Sequence, residues 1–188
     1  MKNDKSYLRK KILLLRKKKH SKIHKFNFNL IFKLIKRHFL NKKINIAGYY
    51  PSYYEVNILS FIQKASEKKF NIGLPVIKSS GTMSFRFWNY KDPLHVSKFG
   101  TLEPLSTNKE IIPDLVIVPL VAFDNHLNRI GYGKGYYDRI LQKINRFKKK
   151  AVFLGIAYSF QKCQKVPVNK HDVKLDYIFT EKGIISSK

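Results

Sequence analysis

The stretch Leu115-Val116-Ile117-Val118-Pro119, then Ala122-Phe123-Asp124, then Asn128-Arg129-Ile130-Gly131-Tyr132-Gly133-Lys134-Gly135-Tyr136-Tyr137-Asp138-Arg139, decides the fold. Its first five residues are continuously apolar, as a strand buried on both faces must be. From Tyr136 to Phe147 the apolar residues Ile140, Leu141 and Ile144 fall at helical spacing. The next apolar run, Ala151 to Ala157, completes a strand, a glycine-rich turn, a helix and a second strand.

The same succession extends outward. Short apolar runs at Ile44 to Tyr50, Ile72 to Ile77, Thr82 to Trp88 and Tyr177 to Thr180 alternate with helical stretches such as Val56 to Lys69, where Leu59, Ile62 and Ala65 share one face. This pattern predicts an α/β protein with three α/β/α layers and a mostly parallel, Rossmann-like sheet. In the first forty residues, Leu8, Ile12 and Leu15, and later Leu30, Ile31, Leu34, Ile35 and His38, predict two amphipathic amino-terminal helices. There is no repeat and no low-complexity linker. The expectation is one domain over 1–188, in which a helical segment at 1–42 packs on an α/β core at 43–188.

Composition narrows the function. Cys163 is the one cysteine, which excludes an internal disulfide and a cysteine-built zinc site. The start Met1-Lys2-Asn3-Asp4-Lys5 is basic, but the apolar stretch Ile12 to Leu15 is too short for a signal peptide. The longest apolar run, Leu115 to Phe123, is less than half of a membrane span. A soluble, cytoplasmic protein without a targeting segment is expected.

The formal charge is +26, from 38 Lys+Arg against 12 Asp+Glu. Such a field attracts any polyanion; abundant Lys, Ile, Asn, Phe and Tyr also follow from A/T-rich codons. The lysines are spread along the chain, with clusters at Lys17-Lys18-Lys19, Lys42-Lys43 and Lys148-Lys149-Lys150, whereas a nucleic-acid binder gathers them on one face with aromatics between. Small-molecule partners are therefore expected, not nucleic acid or membrane, with the protein a monomer or weak dimer.

Ligands of open α/β sheets sit beyond the carboxyl ends of the strands. Two segments fall there, Tyr49 to Glu55 and Val121 to Gly135. Gly131, Gly133 and Gly135 alternate with Tyr132 and Lys134 just before a helix, so backbone N–H groups and the positive helix end can converge on an anion. Lys134 offers a point charge and Arg129 a planar fork, while Asp138 could hold a Mg²⁺ that bridges phosphate oxygens. The spacing is neither the Walker loop nor the dinucleotide fingerprint. Read locally, the turn could equally be a tight connection, and an acid in a first helical turn is ordinary.

These segments together resemble the 5-formyltetrahydrofolate cyclo-ligases, also called 5,10-methenyltetrahydrofolate synthetases. The resemblance extends to Lys5-Ser6-Tyr7-Leu8-Arg9, Tyr50-Pro51, Glu55-Val56, Leu74-Pro75, Met83-Ser84-Phe85 and Glu103-Pro104. Downstream it takes in Gly155-Ile156-Ala157-Tyr158, Gln161, Val166-Pro167, His171-Asp172 and Leu175-Asp176. It implies a NagB/RpiA/CoA-transferase-like fold and the conversion of 5-formyltetrahydrofolate, with ATP and Mg²⁺, to 5,10-methenyltetrahydrofolate, ADP and phosphate.

The resemblance also implies roles for residues. Lys5, Arg9, Arg129, Ile130, Gly131, Tyr132, Gly133, Lys134, Gly135, Tyr136 and Tyr137 would bind ATP, with Lys134 and Arg129 catalytic. Tyr50, Glu55, Phe99 and Tyr136 would contact the folate, and Asp138 and Asp176 would hold magnesium. Local readings stand beside these: Lys5 and Arg9 as a solvated basic face like Lys10, Lys11 and Arg16, Glu55 as an acid near a helix start, and Phe99 as core. Two residues depart from the family pattern. Leu127 stands where glycine is usual, so a differently shaped turn is expected, and Asn57 replaces an acid near the pterin pocket.

Overall fold

A computed structural model of the protein describes residues 4–22, 25–40, 42–147 and 151–187. Residues 1–3 and the cluster Lys148-Lys149-Lys150 lie outside the described residues.

Four α-helices are found among the described residues: α1 (Lys5–Lys19), α2 (Asn29–Phe39), α3 (Leu59–Glu67) and α4 (Tyr136–Phe147). The strands are β1 (Asn45–Ala47), β2 (Asn71–Ile77), β3 (Met83–Phe87), β4 (His95–Val96), β5 (Leu102–Glu103), β6 (Glu110–Ile111), β7 (Leu115–Pro119), β8 (Ala122–Phe123), β9 (Arg129–Ile130), β10 (Val152–Ile156), β11 (Tyr177–Thr180) and β12 (Gly183–Ser186). The main sheet runs β12-β11-β10-β7-β1-β2-β3-β6. Pairing is parallel through its centre, from β11 to β2, and antiparallel at both margins.

Strand β7 is buried along its whole length because alternate side chains feed two cores. Leu115 and Ile117 join Ile31, Leu34 and Ile35 of α2 and Phe61, Ile62 and Ala65 of α3. Val116 and Val118 join Ile140, Leu141 and Ile144 of α4. The sheet is thus covered on both faces, as continuous apolar strands require.

The structure corrects some limits and adds elements. Helix α3 starts at Leu59, later than the apolar pattern from Val56 predicts: Asn57 Oδ1 accepts the Leu59 N–H at 2.9 Å, and the Tyr49 hydroxyl takes the Val56 carbonyl at 2.8 Å. The two-residue strands β4, β5, β6, β8 and β9 are too short to show a period of two.

β1 and β7 are parallel neighbours, with Ile46 beside Leu115 and Ala47 beside Val116. Their carboxyl ends, and the loops 48–58 and 120–135 that follow, therefore open at the same edge. Helix α1 also packs at this edge, Ile12 lying among Val121, Ala122, Ile130 and Val166.

Candidate active site

The loop after β7 is shaped by one buried acid. Asp124 Oδ1 accepts the N–H groups of His126 and Asn128 at 2.9 and 3.0 Å, and Oδ2 accepts Val166 N and Asn128 Nδ2, each at 3.0 Å. Burial pushes its carboxyl up, but these hydrogen bonds outweigh it and hold the group below the usual carboxylate range. They also fix Leu127 at φ +64°. The turn expected to change shape keeps a left-handed residue; leucine is tolerated because its side chain is fully buried in the core beneath α4. The ladder of β8 and β9 then delivers Arg129 to the cleft floor, Phe123 pairing with Arg129.

Beyond it lies a cleft of about 600 Å³, within the range of small-molecule sites. Lys5, Arg9, Tyr50, Glu55, Phe99, Arg129, Ile130 and every residue from Gly131 to Asp138 line it. Lys5 and Arg9 thus belong to the cleft and not to the solvated face of α1. Arg9 Nε donates to the Gly131 carbonyl at 2.8 Å, and Lys5 Nζ pairs with Asp172. A methyl group on Gly133 would sit 3.3 Å from Arg9 Cζ, and Gly133 has φ +100°, so both space and backbone favour glycine there. The Arg129 guanidinium donates to Asp138 Oδ1 at 2.6 Å and to the Val173 carbonyl.

The expected pair of Asp138 and Asp176 is not brought together. Asp176 immediately precedes β11, where its carboxylate accepts the Phe153 N–H at 2.7 Å and its own N–H bonds the Phe153 carbonyl at 3.0 Å. Phe153 is near the amino end of β10, three residues before Ile156, whose register partner Pro119 lines the cleft, or roughly 10 Å at strand rise. Asp172, four residues earlier, lines the cleft instead, and the following Val173 N–H bonds Asp138 Oδ1 at 3.1 Å. Among the described residues no cluster of three or more His, Cys, Asp or Glu forms a metal cage.

At the other side of the cleft, Glu55 folds back on its own loop. Its Oε2 accepts Ser52 N at 2.9 Å and Ser52 Oγ at 3.2 Å, and its Oε1 accepts the Tyr132 hydroxyl at 2.6 Å. It makes no bond to α3, whose first N–H, that of Leu59, is accepted by the Asn57 side chain. Burial pushes the Glu55 carboxyl up, against the pull of Tyr132, Ser52 and Arg16. The Tyr132 and Tyr137 phenols are raised as well, by burial and then by the Glu55 charge. Phe99 is outside the core clusters; Lys134 Nζ lies 5.1 Å from its ring centroid, and the Tyr136 ring meets it edge-on at 6.3 Å.

The sequence model of the 5-formyltetrahydrofolate cyclo-ligase family matches residues 1–181. The chain belongs to that family. It is 34% identical over 137 residues to the 5-formyltetrahydrofolate cyclo-ligase of Haemophilus influenzae, covering 70% of this chain and 72% of that one. It is 35% identical over 167 residues to the Mycoplasma genitalium enzyme of the same name, covering 84% and 87%. Among solved structures, the 5,10-methenyltetrahydrofolate synthetase of Aquifex aeolicus superposes with a TM-score of 0.76 at 28% identity, over 98% of this chain and 93% of that one.

In this cyclo-ligase family member, sequence reasoning passed over one cleft residue, Asp172, and one buried residue behind the cleft wall, Arg16. Asp172 was visible only within a His-Asp motif, and nothing local separates it from Asp176. Arg16 looked like one more lysine-rich surface residue, yet it is 1% exposed. A signal was present: Arg16 stands four residues after the buried Ile12, on the same face of α1. Among the described residues no helix is long and apolar enough to cross a membrane.

Proposed function

We propose that this chain is a single-domain enzyme that cyclises 5-formyltetrahydrofolate to 5,10-methenyltetrahydrofolate, with ATP converted to ADP and phosphate. One observation supports it above the others: the glycine loop with its cations and the Glu55 carboxylate line the same cleft.

The chemical obstacle is that the N5-formyl oxygen leaves poorly. Transfer of the γ-phosphoryl group to that oxygen activates the formyl carbon. N10 then attacks the carbon and loses its proton, and the oxygen departs within phosphate. The enzyme's task is to position two substrates and to stabilise charge.

Residues 131–135 present backbone N–H groups at the amino end of α4, the arrangement that favours phosphate. Lys5, Arg9 and Lys134 add positive charge around the triphosphate, Lys134 acting on the transferring group. Arg129 is held by Asp138 and the Val173 carbonyl, so its fork is fixed before substrate arrives. Asp138 and Asp172 both line the cleft, and two carboxylates with phosphate oxygens and water suit Mg²⁺. That ion, when bound, neutralises charge on the phosphates. Glu55 accepts the paired N–H groups of the pterin ring, with Tyr50, Phe99 and Tyr136 against its faces.

The direct test is coupling. ADP release should require the formyl folate and match its consumption one for one. ADP formed equally fast without folate would contradict the proposal. Such a site works in the cytoplasm, where both substrates are at hand.

A further inference from the structure

Arg16 is the largest fully buried side chain of the described residues, and among them no carboxylate pairs with it directly. Its contacts are neutral: the Tyr53 carbonyl at 2.8 Å, the Leu120 carbonyl at 3.4 Å and the Tyr132 hydroxyl at 2.6 Å, while its Nε is buried without a partner. An arginine kept dry on such terms is costly unless its charge is used. The Tyr132 hydroxyl shows where the charge goes, because it accepts from Arg16 and donates to Glu55 Oε1 at 2.6 Å. One phenol thus separates a buried cation from the carboxylate at the folate side of the cleft.

We propose that Arg16 is a positioning residue for substrate recognition: acting through Tyr132, it holds Glu55 as an oriented anion for the bound pterin ring. This rests on Glu55 reading the pterin. Glu55 must be ionised to accept two N–H groups, and burial opposes ionisation. A cation within ~6 Å favours the anion. A direct arginine fork would occupy both carboxylate oxygens, whereas the interposed phenol uses one lone pair of Oε1 and leaves the other; the long Ser52 Oγ contact on Oε2, at 3.2 Å, is the one that yields when a second N–H arrives. Hydrogen bonds from Tyr132 and Ser52 also favour the Glu55 anion, and among the described residues Arg16 is the one cation that joins them. Tyr49 and Tyr137 are phenols that the Glu55 charge raises. His20, Lys25, Lys64 and Glu181 line the separate groove on its far side, together with Glu55.

The test is calorimetric binding of 5-formyltetrahydrofolate, without nucleotide, from pH 5 to pH 9. Wild-type affinity should fall as the pH drops through the Glu55 titration, and Glu55→Gln should abolish that dependence. Arg16→Met should move the midpoint up by about one pH unit, which weakens binding by up to roughly tenfold below the wild-type midpoint and little well above it, and Arg16→Lys should restore most of the shift. Tyr132→Phe, which removes the phenol's own hydrogen bond to Glu55 as well as the bridge, should move the midpoint the same way. If Arg16→Met does not fold, Arg16→Gln, which removes the charge but keeps a donor, decides the matter. A midpoint unmoved in a folded Arg16→Met, or in Arg16→Gln when that is the deciding variant, overturns the role of Arg16. Glu55→Gln binding as tightly as wild type, with the same pH profile, would instead remove the pterin reading beneath it.

Discussion

Arg129 and Asp138 form an ion pair of 2.6 Å at the floor of the cleft, the arginine side chain 3% exposed and the aspartate 27%. The pair ties β9 to the first turn of α4, so the two ends of the glycine loop are clamped to each other.

Removing one member of a buried pair leaves the other uncompensated, which costs about 3–5 kcal/mol when burial is complete. Asp138 is partly exposed and also accepts the Val173 N–H, so Asp138→Ala should destabilise by roughly 2–3 kcal/mol. Activity should fall more than about a hundredfold, since the same carboxylate lines the cleft proposed to hold the phosphates. Urea unfolding alongside steady-state kinetics checks both. Arg129→Lys should not rescue, because an ammonium cannot reproduce the fork that reaches Asp138 and the Val173 carbonyl together.

The two candidate metal carboxylates are separable. Asp172→Asn should raise the Mg²⁺ concentration needed for half-maximal activity by about tenfold, and Asp176→Asn by less than about twofold. A magnesium titration of the purified variants decides between them. The opposite ranking would return the site to Asp176.

Much of this architecture was legible in the chain. The apolar run Leu115 to Pro119 and the helical spacing of Ile140, Leu141 and Ile144 are strong periodic signals, and both elements have the predicted limits. The cleft side of the glycine loop followed from where parallel strands end. Long-range choices were not legible. Asp172 and Asp176 lie four residues apart in the same loop before β11, and only the pairing of β10 with β11 shows that the second lies toward the far edge of the sheet. Arg16 was obscured by neighbouring lysines, because charge patterning does not show which basic residue a packed loop will cover.

Leu127 tests how the family-atypical turn is maintained. Replacing it by glycine relieves a left-handed leucine, worth about 1–2 kcal/mol. The same change empties a fully buried site, where loss of a leucine side chain costs about 3–5 kcal/mol. Leu127→Gly should therefore be destabilising by roughly 2 kcal/mol, measured by thermal or chemical unfolding. A more stable variant would show that backbone strain outweighs packing.

Glu55 should lower the stability of the ligand-free protein above acidic pH. Burial raises its carboxyl in the folded state, so the folded protein holds that proton more tightly than the unfolded chain does. The stabilising protonated state is fully present below the unfolded value of about 4.3 and is lost as the pH rises through the folded one. Glu55→Gln should melt close to wild type near pH 4 and progressively above it toward pH 8, while binding folate poorly. A melting difference that does not change with pH would mean that Glu55 is not desolvated.

The central claim is that one cleft joins ATP to a formyl folate. Its most direct measurement is the near-ultraviolet absorbance of purified protein mixed with 5-formyltetrahydrofolate and Mg-ATP. The methenyl chromophore should grow in only when all three are present, and its growth should be lost in Lys134→Ala. No absorbance change from folded protein, or one that proceeds without ATP, would contradict the account.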